Sequence, residues 1–275
     1  MTPVQCQKNR VAKRPVAAGR VEASGHLGAA KRRVRLSLFG DLSLYLADRE
    51  IDLRSRKARA LVAYLALAPD MKESRDRLAG LLWSETDNDK ARTSLRQTLH
   101  VVRKVLHEWG LTGVVVDNHH YVRLDRSEFA TDLEDLAASV ERGDPADRLM
   151  SEARITDSLL PGYDDIDPAF GAWLQLKRES IRQRLMQELE DQLSERLTSA
   201  RCRKRTACAL LQLDPTNEVA CRGLMRAFME AENAAGALAA YGQLWSCLEK
   251  DYDIEPSAAT QELAVTIKNG TYATH

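Results

Sequence analysis

Apolar residues along this chain fall on two periods, and the change from one to the other marks where sheet gives way to helix. From Val34 the period is two: Val34, Leu36 and Leu38 alternate with Arg35 and Ser37, Leu42, Leu44 and Leu46 follow a turn at Phe39-Gly40-Asp41, and Ile51 and Leu53 follow a second turn at Asp48-Arg49-Glu50. This pattern predicts a small antiparallel meander with one buried face. From Ser55 the spacing changes to three and four. Ser55 can cap a helix that runs through Leu61, Val62, Leu65 and Ala66 and ends before Pro69-Asp70. A short apolar helix over 74–83, a polar loop over 84–87 and a long basic helix over 88–109 come next. That order is the outline of a helix-turn-helix.

The long helix keeps Ala91, Leu95, Leu99, Val102 and Leu106 on one stripe, the face a globular domain buries. Its other side carries Lys90, Thr93, Arg96, Gln97, His100 and Lys104. These side chains can donate to phosphates and base edges, and none is a carboxylate that phosphate would repel. Behind the helix, 114–117 and 121–124 read as a hairpin joined by Asn118-His119-His120, with Asn118 in the turn because Asn tolerates positive φ. Such a hairpin is the wing of a winged helix-turn-helix, with His119, His120 and Arg123 as its candidate contacts. Adjacent histidines on a strand point to opposite faces, so a metal site is not expected there.

Charge sharpens the picture, because a formal net charge of zero is the sum of unlike halves. Residues 1–126 hold 24 Lys+Arg against 14 Asp+Glu, and residues 127–275 hold 16 against 26. One half is suited to a polyanion and the other is not. Arg54, Arg56, Lys57 and Arg59 crowd the start of the first helix, where positive charge opposes the helix dipole. An external anion such as a DNA phosphate would explain them, and a solvated basic patch is the competing explanation. Residues 1–30 carry Lys8, Arg10, Lys13, Arg14 and Arg20 against Glu22, with no helical or strand period. They read as a disordered basic arm, open to three uses: nonspecific DNA contact, targeting, or none.

The second half is helical in pattern. Helices are expected over 132–142, 146–159, 170–198, 207–213, 216–231, 234–252 and 257–268, the longest carrying Trp173, Leu176, Ile181, Leu185, Leu189 and Leu193 on its apolar stripe. Antiparallel helix pairs with short polar joints are the unit of a tetratricopeptide-like array. Five cysteines (Cys6, Cys202, Cys208, Cys221 and Cys247) form no Cys-x-x-Cys pair, and the last three read as buried reduced thiols, which fits a cytoplasmic protein. The longest strongly apolar run, 61–68, is too short to span a bilayer. Phosphate loops, dinucleotide-binding turns, zinc-protease helices and nucleophile elbows are all missing from the sequence, so neither an enzyme nor a cofactor is expected.

The three short strands, the Arg56-Lys-x-Arg-Ala-Leu61 opening, the Leu81-Leu-Trp83 ending, Ala91-Arg-x-Ser-Leu-Arg-Gln-x-Leu99 and the wing together resemble the OmpR-type winged helix of AfsR/SARP-class bacterial activators. Leu159-Leu-Pro-Gly-Tyr163, Trp173, Leu210-Leu-Gln-Leu-Asp-Pro215, Ala237-Leu-Ala-Ala-Tyr241 and Ile254-Glu-Pro-Ser257 resemble the bacterial transcriptional activator domain that follows it in that class. Three departures stand out: Asn118, His119 and His120 replace the usual wing glycines, Asp253 stands where Gly is common, and the stretch Ser199 to Thr206 is unusually basic and lacks the usual Gly-containing turn.

The expected fold class is therefore α-rich α+β. A winged-helix DNA-binding domain over 31–126 would be followed by an all-α tetratricopeptide-like activator domain over 127–270. The resemblance implies a major-groove helix, so Thr93, Arg96, Gln97 and His100 are expected to read bases. Arg54, Arg56, Lys57, Arg103, Lys104, His119 and Arg123 are expected to meet phosphates or form the wing contact. Glu85 and Asp87 lie in the loop that meets RNA polymerase in the resembled class. The expected function is a sequence-specific transcription regulator, an activator, on double-stranded promoter DNA, with self-association on direct repeats. The alternative is a helical-repeat interaction scaffold that has lost DNA binding.

Overall fold

The alternating segment forms β1 (Val34–Ser37), β2 (Ser43–Leu46) and β3 (Arg49–Glu50), paired antiparallel in a computed structural model that describes residues 33–194 and 199–272. The expected basic arm over 1–30 lies outside the described residues. Register places Val34 opposite Leu46 and Leu36 opposite Leu44, which puts the apolar set on one face. Ser55 then caps α1 (Arg56–Leu67), its hydroxyl accepting from Ala58 N, and Ser74 does the same for α2 (Arg75–Leu82) through Arg77 N. The long basic helix is α3 (Asn88–Glu108), and the residues it buries are Ala91, Leu95, Leu99, Val102 and Leu106.

Two strands were not anticipated. β4 (Lys72–Ser74), just ahead of α2, pairs antiparallel with the second wing strand. The wing is therefore a three-stranded sheet, ordered β4-β6-β5, with β5 (Val115–Asp117) and β6 (Tyr121–Leu124) as its hairpin. β7 (Phe129–Thr131) leaves the wing and pairs parallel with β1, Val34 opposite Phe129 and Leu36 opposite Thr131. The expected antiparallel meander is thus a mixed four-stranded sheet, ordered β3-β2-β1-β7, with Phe129 fully buried in it.

Thr131 and Glu134 form a capping box that opens α4 (Asp132–Glu141). The Asp132 carboxylate reaches back across the sheet and accepts from Leu38 N, Phe39 N and the Ser37 hydroxyl at 2.9–3.2 Å. The expected helix over 146–159 is only α5 (Asp147–Ser151). Arg154 takes a left-handed conformation, φ 49°, and its N donates to Gln212 O at 2.9 Å. A 3₁₀ turn over Ile155–Ser158 then lays Leu159 and Leu160 against the end of β1, where Leu160 N donates to Leu38 O and Gly40 N to Ser158 O. Burying those two leucines outweighs the helical continuation that their spacing suggested.

The remainder is antiparallel helix: α6 (Pro168–Ser194), α7 (Ala200–Leu213), α8 (Glu218–Glu230), α9 (Ala234–Tyr252) and α10 (Ala258–Lys268), each packed on its neighbour in sequence. On α6 the expected apolar stripe holds at Ile181, Leu185 and Leu189, with Trp173 and Leu193 partly buried, and fails at one position. Phe170, Leu174, Ile181, Leu185 and Leu189 are buried, whereas Leu176 is 73% exposed. One continuous apolar cluster runs from Val34 through Leu95 and Phe170 to Ala220, so the two halves share a core. Tyr64 of α1 meets Trp173 of α6 with ring centroids 4.5 Å apart, and Trp173 in turn meets Phe170 at 5.1 Å.

Of the expected buried thiols, Cys221 is enclosed, and burial pushes it up to about 12, while Cys208 and Cys247 are half-buried. Among the described residues no helix is long and apolar enough to cross a membrane.

Candidate nucleic-acid interface

The exposed side of α3 gathers hydrogen-bond donors along one helix face. Lys90, Thr93, Arg96, Gln97, His100 and Lys104 are exposed, on the side away from the buried stripe. Arg96, Gln97, His100 and Lys104 make no ion pair or side-chain hydrogen bond with any described residue. Thr93 donates its hydroxyl to Asp89 O at 2.9 Å, which leaves its oxygen free to accept and its methyl group to pack. Asp87 caps the helix through Asp89 N. Arg92, exposed and not singled out from sequence, is held by Asp76 of α2 at 3.1 Å.

The wing stands beside this face and is pinned to it. Asp117, at the end of β5, meets Arg75 at the start of α2 at 2.7 Å and also pairs with Arg103 of α3. Burial pushes the Asp117 carboxyl up, but hydrogen bonds and charge from Arg103 and Arg75 outweigh it and hold the group below its ordinary range. Arg103, expected at a phosphate, thus has a carboxylate partner on the wing. Arg75 N also donates to His120 O, tying α2 to the wing turn.

Asn118 shapes that turn differently from expectation, because it is not at positive φ. Its side-chain oxygen accepts from His120 N and Tyr121 N at 2.8 and 2.9 Å, an Asx-type turn. This substitutes for the glycines usual in the resembled class and leaves His119 and His120 exposed. Arg123 on β6 is exposed and lies directly opposite Lys72 on β4. Like charges opposed across a ladder repel unless an anion lies between or beside them. Lys72 was missed because β4 was missed; its ammonium also sits 4.0 Å from the Tyr121 ring centroid.

The basic start of α1 is a different environment. Arg56 meets Asp165 at 2.7 Å, donates to Gly162 O, and stacks near the Tyr163 ring. The Arg56 guanidinium holds the Asp165 carboxyl below the usual carboxylate range through a hydrogen bond and its charge. Lys57 donates to Leu82 O, lies 3.7 Å from Asp167, and faces the Trp83 ring. Arg59 donates to Leu53 O, and Arg54 pairs with Asp52 at 2.9 Å on the surface. Anions at this end are supplied by the chain's own second half, Asp165 beside Arg56 and Asp167 beside Lys57. Of the four, the Arg54 side chain is 90% exposed and that of Arg56 55%.

The loop between α2 and α3 exposes Glu85 and Asp87, and Ser84 anchors it to Asp167. Among the described residues no group of three or more His, Cys, Asp or Glu side chains is disposed to hold a metal ion.

Comparison with known proteins places this geometry in a family. No curated protein matches the chain in sequence. A solved structure, Mycobacterium tuberculosis EmbR in complex with a low-affinity phosphopeptide, is similar in fold, with a TM-score of 0.61 at 20% identity over 88% of this chain. The chain spans 66% of that EmbR chain. The model of the bacterial transcriptional activator domain matches residues 124–268, which takes in β7, the capping box at Thr131 and every helix from α4 to α10. That match covers more than half of the sequence, and with the winged helix ahead of it agrees with the AfsR/SARP-class resemblance. The chain belongs to the bacterial transcriptional activator domain family, a family of transcription regulators.

Proposed function

We propose that the protein is a sequence-specific DNA-binding activator that reads promoter DNA with α3. One observation carries this reading: among the described residues Arg96, Gln97, His100 and Lys104 have no side-chain partner, and they stand on a 21-residue helix whose opposite face is buried. In this reading Thr93, Arg96, Gln97 and His100 contact base edges. Lys104, Arg54 and the wing residues His119 and Arg123 contact the backbone, with Lys72 beside them. Arg56, Lys57 and Arg103 hold the reader in shape. The reader is residues 31–126 and the helical activator half 127–270, and Glu85 and Asp87 offer carboxylates to a basic surface of RNA polymerase. Family membership supports transcription regulation, and the free donors on α3 support DNA as the ligand.

The deciding experiment is selection of bound fragments from random or genomic DNA with purified protein, at low and at physiological salt. Enrichment of a repeated motif is expected, with affinity falling with salt by a log-log slope of about 0.9 per neutralised phosphate. Salt-sensitive binding without enrichment would remove base readout. Absence of binding would leave the helical repeats as an interaction scaffold.

A further inference from the structure

Asp167 is the most enclosed carboxylate in the described chain, 7% exposed, and it does two jobs. It precedes Pro168, the first residue of α6, and its Oδ1 accepts from Ala169 N at 3.1 Å, which is ordinary capping of a helix start. Capping needs one oxygen and no burial. The remaining capacity goes to the reader half: Oδ1 also accepts from the Ser84 hydroxyl at 2.6 Å, Oδ2 accepts from Ser84 N at 3.0 Å, and Lys57 Nζ lies 3.7 Å from Oδ2. Lys57 also donates to Leu82 O, the last residue of α2. One buried carboxylate therefore joins α6, α1 and the loop between α2 and α3, and a buried charge persists only where it is paired and hydrogen-bonded on this scale.

We infer that Asp167 is a positioning residue for the loop between α2 and α3: through Ser84 it lets the helical half fix the segment that presents Glu85 and Asp87 and leads into α3. The inference rests on the proposed reading, in which that loop meets polymerase while α3 meets DNA. It goes beyond that reading by assigning the coupling between the two halves to one side chain. The geometry separates loop placement from DNA contact, because Ser84 lies four residues ahead of Asn88 and the free donors begin beyond it.

The test uses the full chain with Asp167→Asn, Ser84→Ala and Ser84→Thr. Asn caps a helix about as well as Asp, and Ser84→Ala leaves the α6 cap untouched, so both variants are expected to fold. Backbone hydrogen exchange at 84–87 is expected to quicken roughly tenfold in Asp167→Asn and Ser84→Ala, and to return to the wild-type rate in Ser84→Thr. Affinity for a selected operator is expected to stay within about threefold, while transcription by purified polymerase falls roughly tenfold. Unchanged exchange at 84–87 in both variants would overturn the positioning role whether or not the protein binds DNA. Faster exchange with activation unchanged, or lost only in step with operator affinity, would overturn the coupling. Failure of the wild-type protein to bind DNA would instead count against the functional reading, and the exchange result would still decide the role of Asp167.

Discussion

Two basic regions that look alike in sequence are opposites in structure. The start of α1 gathers Arg54, Arg56, Lys57 and Arg59 within six residues, and the outer face of α3 spreads Lys90, Arg96, His100 and Lys104 over fifteen. At α1, Asp165, Asp167 and the carbonyls of Leu53, Leu82 and Gly162 take up Arg56, Lys57 and Arg59. On α3 the donors meet nothing in the described chain. Local density of positive charge therefore does not say which cations the fold leaves for an external anion. In the proposed reading those are the ones that the described chain leaves without a partner, and that shows only once the second half is in place.

The sharpest way to break this contrast is base discrimination. Arg96→Ala and Gln97→Ala are each expected to cost about 1–3 kcal/mol in preference for the selected operator over a scrambled one, with melting temperature unchanged. Equal loss on every sequence, measured by competition binding, would place these residues with the backbone contacts. Next in size is Lys57→Ala, which leaves the buried Asp167 short of a cation and Leu82 O without its donor. It is expected to lower stability by about 1–2 kcal/mol in chemical denaturation, with the salt slope of DNA binding unaltered. A reduction of that slope by about one would return Lys57 to the phosphate contacts.

The Asp117 clamp gives a pH-dependent effect of about 1 kcal/mol. Its folded-state pKa is depressed, so its contribution is fully present above the unfolded carboxylate value of about 3.9 and is lost as pH falls through the folded value. Asp117→Asn should lower stability near neutral pH and flatten the acid limb below about pH 4. A denaturation series across pH 2–7 that leaves the limb unchanged would mean that the clamp is not what titrates there. Smallest is Arg56→Ala: both partners of its ion pair are exposed, so stability and operator affinity should hardly change. A large loss of affinity would show that the pair opens to admit phosphate.

The parts of the fold that were legible are those where a period meets a cap. The buried stripe of α3 was readable at every position because five apolar residues repeat at three and four without a competing phase. On α6, Leu176 fits a stripe anchored on Trp173 and Leu174 one anchored on Phe170, and the choice between them depends on what packs against the helix, α2 included. β7 was illegible for a different reason: three residues carry no period, and their partner β1 lies some 95 residues earlier. The free face of α3 followed from its buried face, whereas the fate of Arg56 and Lys57 did not. Nothing local says that Asp165 and Asp167 return to them. Asp253 was legible as an oddity, standing where glycine is common, and its φ of 56° supplies the reason: the chain leaves α9 through a left-handed residue.

Gly171 shows how closely the returning loop is fitted. A side chain there would place its first carbon 2.3 Å from Asp164 O, so the segment that carries Asp164, Asp165 and Asp167 can lie on α6 only over a residue without one.

The parallel pairing of β1 with β7 has a consequence for how the protein is made. β1 is synthesised some 95 residues before the strand that completes its sheet, and the carboxylate that satisfies Leu38 N and Phe39 N comes one residue later still, at Asp132. At roughly 5–20 residues per second on the ribosome, that edge of the reader stays open for about 5–20 s. A fragment ending at Arg126 would keep it open indefinitely, exposing a strand edge of the kind that recruits other chains. The winged-helix half is finished by the half that follows it.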